Sequence, residues 1–493
     1  WISLYTVSAG FLAVISFWID HYPFAFRSNN WLEQFHTEWI PIFGISFHLA
    51  IDGLSLLMLS LTFFLGILAV LTSWTDVKYQ VGFYHFNLLW ILAGICGVFM
   101  AMDLFLFYFF WEIMLIPMYF LIGIWGSENR RYAAYKFFIF TQASGLIMFL
   151  AILVLYFIHG KNTGNYTFNY FELLGAYLPA KIQTILMFGF MIAFVVKLPI
   201  VPFHSWLPDA HSEAPTAGSL ILAGLLLKTG AYGILRFVIP LFPFAAKEYA
   251  PLFMLLGVIG IIYGAVLAYS QTDLKRLVAY TSVSHMGFVM LGIFAFNSLA
   301  FQGVIMQLLT HAVSTGALFI LAGMIKERMH TRDLNQMGGL WNNMPRMGAM
   351  AMIFAMASLG LPGLGNFIAE FLILLGAFKA NIWLTVFATL GLIFSAIYSL
   401  RIVKKVFLGP GSKHHKLKDL NWREMMIMGS LAVPIIWLGF FPQVIFKTAE
   451  VSINKLQYHL QAKNPDKPPK TSSLKLKDKK NSTKKNALSN VSK

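Results

Sequence analysis

Six residues of this 493-residue chain set a proton-active side chain among apolar neighbours: Glu112, Lys197, Lys228, His285, His311 and Glu370. Glu112 is the one charge in LFLFYFFWEIMLIPMYFLIGIW, and Lys197 and Lys228 interrupt the runs IAFVVK and LILAGLLLKTGAYGIL. A lysine at the centre of a membrane helix costs roughly 2.5 to 3.5 kcal/mol on insertion scales, and ionisable groups at that depth mark ion or proton pathways. An unpaired carboxylate there takes up a proton rather than stay charged, so Glu112 needs a neighbour; Lys197, at comparable depth, is the expected ion-pair partner. His285 in TSVSHMGF, His311 in QLLTHAVSTG and Glu370 in SLGLPGLGNFIAEFLILLG extend the series. Any one of them alone reads as a structural ion pair or a histidine satisfying a backbone group. Together, carboxylate, amine and imidazole make a set that hands on protons.

The elements that position these groups are interrupted helices. Pro199 and Pro202 lack amide donors and leave the carbonyls of Val195 and Leu198 without helical partners. Irregular backbone at membrane depth is tolerated only inside protein or beside a wet cavity, so Lys197 sits at a water-accessible joint. The interruption runs on through His204, Trp206, Pro208, Asp209, His211, Glu213 and Pro215. Its histidines fit no ordinary zinc spacing, so no metal is expected, and the reading is proton uptake or pinning of the loop. Pro362, Gly363 and Gly365 repeat the pattern beside Glu370. Two broken helices, one in each half of the chain, predict inverted repeats around a central ion pathway. Gly224 lets a second helix approach the one that carries Lys228.

With 58% hydrophobic and 12% charged residues, the chain cannot be a stack of soluble domains, and it reads as an all-α polytopic membrane protein. The net charge of +16 is no nucleic-acid signal, because 12 of the 37 Lys and Arg lie beyond Phe446 and most others flank apolar runs. The lone Cys96 supports neither an intrachain disulfide nor an iron–sulfur cluster, so the chain is expected to carry no redox centre and no cofactor. Apolar windows predict 13 spans, near 1–18, 51–73, 85–102, 104–125, 133–158, 183–201, 216–239, 250–270, 276–296, 300–325, 346–379, 382–408 and 425–446. Only Asp103 divides the third from the fourth, and 346–379 is too long for one span without a break. Asp52 reads as a helix cap, and Asp20 to Leu49 as a polar connection whose Trp31, Trp39 and Phe43 suit an interfacial seat. Short connections on one side hold 17 Lys and Arg and those on the other side six, which puts residue 1 inside and the tail outside. The resulting divisions are 1–84, the first repeat 85–240, the second repeat 250–408, the last helix 409–446 and a Lys-rich tail 447–493, disordered by composition from about Gln461.

The segments HLAIDGLSLLM, FFWEIMLIPMYFLIGIWG, VVKLPIVPFHSWLPDAHSEAPTAGS, LLLKTGAYGILRF, TDLKRLVAYTSVSHMGF, ERMHTRDLNQMGGLW and GLPGLGNFIAEF resemble the antiporter-like, proton-translocating subunits of respiratory complex I, NADH:quinone oxidoreductase. The likeness covers essentially 1–446, and a glutamate after the second break, Glu370, resembles the chain M (mitochondrial chain 4) branch. Members of that family have 14 spans, and residue 1 here is similar to the start of their second. The resemblance implies an ion pair of Glu112 with Lys197 in an input half-channel, a central relay of Lys228, His285 and His311, and Glu370 facing the exit. It also implies partner subunits of a membrane arm, with NADH, FMN, iron–sulfur clusters and quinone all held in other chains. The expected location is the bacterial inner membrane rather than the mitochondrial one. Sodium/proton antiporters of the Mrp type and membrane-bound hydrogenase subunits share the two-lysine core and are the alternatives; a solute carrier or a purely structural span fits the proton-active residues less well.

Overall fold

A computed structural model describes residues 1–22, 31–409 and 417–461, so the Lys-rich stretch from 462 on, with its reading as disordered, lies outside the described residues. The chain opens with α1 (Ile2–His21), a β-hairpin of β1 (Glu33–Ile40) and β2 (Ile45–Ile51), and α2 (Gly53–Asp76). There follow α3 (Val81–Met100), α4 (Leu104–Trp125), α5 (Arg130–Thr163), α6 (Ala180–Lys197), the short α7 (Trp206–Glu213) and α8 (Thr216–Leu241). The second half holds α9 (Ala250–Ser270), α10 (Leu274–Ile293), α11 (Ser298–Met329), α12 (Pro345–Leu359), α13 (Gly365–Ala380), α14 (Ile382–Phe407), α15 (Trp422–Phe440) and α16 (Gln443–Gln461).

Among the described residues, 11 helices are long and apolar enough to cross a membrane. The other two of the 13 expected spans are present but differ for physical reasons. α10 is too polar to face lipid, and Thr281, Ser282, Ser284 and His285 are instead buried inside the bundle. α12 and α13 have 15 and 16 residues, about 23 Å each against a hydrocarbon core of roughly 30 Å. They make one span with a break at Gly360–Leu364. Gly360 and Gly363 take φ of 82° and 93°, a left-handed backbone that glycine adopts without strain. α8 is buried from Ala217 onward and is π-helical at Leu222–Leu226 and Ile234–Val238, on either side of Lys228.

Capping residues set several of the starts. Asp52 accepts from Ser55 N at 2.9 Å, as expected for α2, and Asp103 accepts from Phe105 N and Leu106 N to begin α4. Asp103 also accepts from Ser46 N and Oγ, which fastens β2 to the start of α4.

Two stretches depart from the sequence reading. The polar connection 20–49 contains the antiparallel hairpin, with Glu33 opposite Ile51 and a bulge between Glu38 and Ile40. β1 is exposed almost throughout while β2 alternates, so the hairpin lies over the bundle by one face. A Cβ at Gly44 would run into the Tyr166 carbonyl, so the turn is closed by a residue that has none. The last apolar window, 425–446, corresponds to α15 alone. After Pro442 the chain turns into α16, a further helix that the apolar windows did not mark. Ile445, Ala449, Ile453, Leu456 and Leu460 recur every three or four residues and bury one stripe of α16, which is too polar overall to count as a span.

Candidate proton relay

Glu112 and Lys197 each stand at a helix break. Pro117 lacks the amide that would bond Ile113, and α4 turns at Met114, two residues after Glu112. On α6 the missing Pro199 amide is replaced by Ile200 N, which donates to Val195 O at 3.0 Å. The Val196 carbonyl, whose helical donor would be Ile200, accepts instead from the Trp206 indole at 2.9 Å. The joint after Lys197 is therefore a defined set of rerouted hydrogen bonds.

At this joint Lys197 is 1% exposed, with Nζ 5.2 Å from the Trp111 ring centroid and 5.7 Å from that of Phe137. The expected ion pair is not closed. Lys197 Nζ, Glu112 Oε1 and Trp111 Nε1 are all buried without a hydrogen-bond partner, although the two charged groups lie within electrostatic reach of each other. A Cβ at Gly145 would run into Glu112 Oε1, so α5 makes room for the carboxylate by having no side chain there.

The remaining four residues form two hydrogen-bonded pairs, Lys228 with His311 and His285 with Glu370, whose imidazoles face each other while His311 Nε2 stays unbonded. Lys228 is fully buried; its Nζ donates to Ala223 O at 2.5 Å and lies 2.7 Å from His311 Nδ1. The carbonyl is offered because the π-helical turn sends Leu227 N back to Leu222 O, out of the usual register. The His311 and His285 rings are 5.5 Å apart, nearly edge to face. His285 Nδ1 is 2.9 Å from Glu370 Oε1, and Nε2 is 3.2 Å from Tyr398 OH and 3.3 Å from Ser358 Oγ. Gln307 Nε2 donates to Glu370 Oε1 at 3.3 Å. Each of these four residues is at most 1% exposed.

Lys197 and Lys228 do not touch. Gly230 holds their helices together: a Cβ there would lie 2.7 Å from Phe194 O and 3.1 Å from Lys197 Cβ. Gly224, expected to admit a second helix, faces Leu65 of α2.

The acidic residues of the first interruption are pins. Asp209 binds Lys136 and Arg276, both at 2.7 Å, and Glu213 accepts from Asn129 N and faces Arg332 at 3.5 Å. His211 is different. It is fully buried and stacked on Phe319 at 4.4 Å, and neither ring nitrogen has a hydrogen-bond partner. It lies within electrostatic reach of Lys228, Lys275 and His311. Among the described residues no group of three or more His, Cys, Asp or Glu side chains is arranged to hold a metal ion.

The sequence reading missed Gln307, Ser358 and Tyr398 around His285 and Glu370. Gln307 had a usable signal, since it precedes His311 by four residues and so shares its face of α11. It also missed the buried pair of Arg236 with Asp52, 2.6 Å apart near the C-terminal end of α8.

The chain matches the family described as NADH:quinone oxidoreductase/Mrp antiporter, TM, over residues 101–395. It is 52% identical to NADH-quinone oxidoreductase subunit M of Pseudomonas aeruginosa, over 94% of this chain and 93% of that one. Its structure is similar to a chain of respiratory complex I from Thermus thermophilus with bound NADH, with a TM-score of 0.85 and 31% identity over 93% of this chain and 95% of that one. The fold is shared with a chain of the Mrp complex from Dietzia, with a TM-score of 0.82 at 20% identity over 93% of each. The chain belongs to the NADH:quinone oxidoreductase/Mrp antiporter family, as an antiporter-like membrane subunit of the complex I chain M type.

Proposed function

We propose that this chain carries protons across a bacterial cytoplasmic membrane as a membrane-arm subunit of an NADH:quinone oxidoreductase, with the redox cofactors NADH, FMN, iron–sulfur clusters and quinone in partner chains. The observation that carries this reading is the buried line from Lys228 through His311 and His285 to Glu370, in which each group can take and release a proton. Residues 85–240 act as the loading repeat and 250–408 as the delivering one. Glu112 sets the charge of Lys197. Closing that pair stabilises the ammonium form and loads Lys197; opening it removes that support, and the proton moves on towards Lys228. His211, with both ring nitrogens unbonded, stands where water would join Lys228 to the inner side of the bundle. Glu370 releases the proton outward.

The test is Lys197→Ala and Glu112→Ala in the assembled enzyme. Proton transport driven by NADH oxidation should fall by about tenfold or more, at least ~1.4 kcal/mol on the transfer barrier. Undiminished transport in either variant rejects the reading. Transport that depends on sodium would point to the antiporter alternative.

A further inference from the structure

A cavity of about 260 Å³ lies near the C-terminal end of α8, away from the relay, between that helix, α16 and Trp31. Among the described residues its lining holds two cations, Arg236 and Lys455, beside His459, whose protonation is disfavoured by burial and by Lys455, and no carboxylate. Arg236 is held rigidly. Its Nη2 donates to Asp52 Oδ1 at 2.6 Å and its Nε to Tyr232 OH at 3.1 Å, and the side chain is only 7% exposed. Among the described residues Nη1 finds no hydrogen-bond partner, and Arg236 lines the cavity. The Arg236 guanidinium and Lys455 Nζ lie 5.0 and 4.4 Å from the same Trp31 ring, so two cations are gathered at one indole. One carboxylate, Asp52, stands behind them, and Ser55, Ser452 and Arg236 already occupy its oxygens.

A fixed guanidinium with a free donor, a second cation and apolar walls at Leu54, Leu174 and Leu235 fit an oxyanion, which takes charge-assisted hydrogen bonds from both groups. We propose that this cavity is a phosphate-binding site, filled by the headgroup of an anionic phospholipid or by free inorganic phosphate. Burial, with the neighbouring Arg236 charge, brings the Lys455 ammonium down to about 8, and a bound oxyanion would offset that cost.

The experiment uses the full chain in dodecyl maltoside, a detergent without phosphate. Phosphatidylglycerol, diacylglycerol and inorganic phosphate are titrated while bound ligand is counted by native mass spectrometry and thermal unfolding is followed. The wild type should bind phosphatidylglycerol but not diacylglycerol if the source is lipid, or inorganic phosphate if the source is the free ion. Lys455→Gln should weaken that binding by about tenfold, the value of one charge-assisted hydrogen bond, and Lys455→Arg should retain it. If neither phosphate-bearing probe binds, or if Lys455→Gln binds as the wild type does, the proposal is wrong. The same holds if the only effect of Lys455→Gln is weaker association with neighbouring subunits, which would assign the cavity to a partner's acidic side chain.

Discussion

At the scale of the residue, the relay is governed by how each charge is partnered. Lys228 touches a carbonyl and an imidazole but no carboxylate, so its proton is held by neutral groups. Glu370 is the one member whose carboxyl is hydrogen-bonded to two neighbours, His285 and Gln307, with Oε2 left unbonded. Glu370→Gln keeps the size of the side chain and removes the proton site. It should assemble normally yet lower proton transport by about tenfold or more, whereas Glu370→Asp should retain part of it. Proton transport by both variants, measured with assembled enzyme at matched NADH oxidation rates, checks this. These six residues were legible in the sequence because an ionisable group in an apolar run is expensive and therefore rare. Gln307, Ser358 and Tyr398 were not, because neutral polar side chains on buried helices are common and only the packing of α10 through α14 singles them out.

At the scale of the element, the breaks carry the argument. Pro199 and Pro202 announced a joint, and the structure adds how its carbonyls are served: Val195 O by Ile200 N and Val196 O by the Trp206 indole. Trp206→Phe keeps the ring and leaves Val196 O buried without its donor. We expect a loss of about 1–3 kcal/mol, seen as a lower unfolding midpoint in detergent. The break in α4 was less legible, since Pro117 falls five residues beyond Glu112 and marks the turn only through the missing amide one turn later. The hairpin was invisible to apolar windows because its pairing, Glu33 with Ile51, is a matter of register across a bulge. It also supplies a pH effect. Burial, with the charge of His36, lowers His48 from the usual 6.5 to about 4. Above pH 6.5 the imidazole is neutral folded or unfolded. Between 6.5 and about 4 only the unfolded state binds the proton, so stability falls as the pH falls. Unfolding midpoints from pH 7.5 to 5 should decline for the wild type and decline less for His48→Gln.

At the scale of the whole molecule, the two halves meet where α8, π-helical on both sides of Lys228, faces α11 and its His311. The span count was legible, since hydrophobic length alone gives 13 segments and each has its helix or broken helix. The helix α16 was not, because it buries a narrow stripe rather than a long apolar run. Nor could the sequence say whether Glu112 and Lys197 are joined. In this structure they are apart, while Lys228 is joined to His311 and His285 to Glu370, so the path is open between the lysines and again between the two imidazoles, where His311 Nε2 is unbonded. The most direct measurement is the number of protons moved per NADH oxidised by proteoliposomes containing the assembled enzyme with Lys228→Ala. Loss of the first member of this buried series should lower that number relative to the wild type in the same preparation; an unchanged number, with the variant subunit shown to be present, would contradict the account.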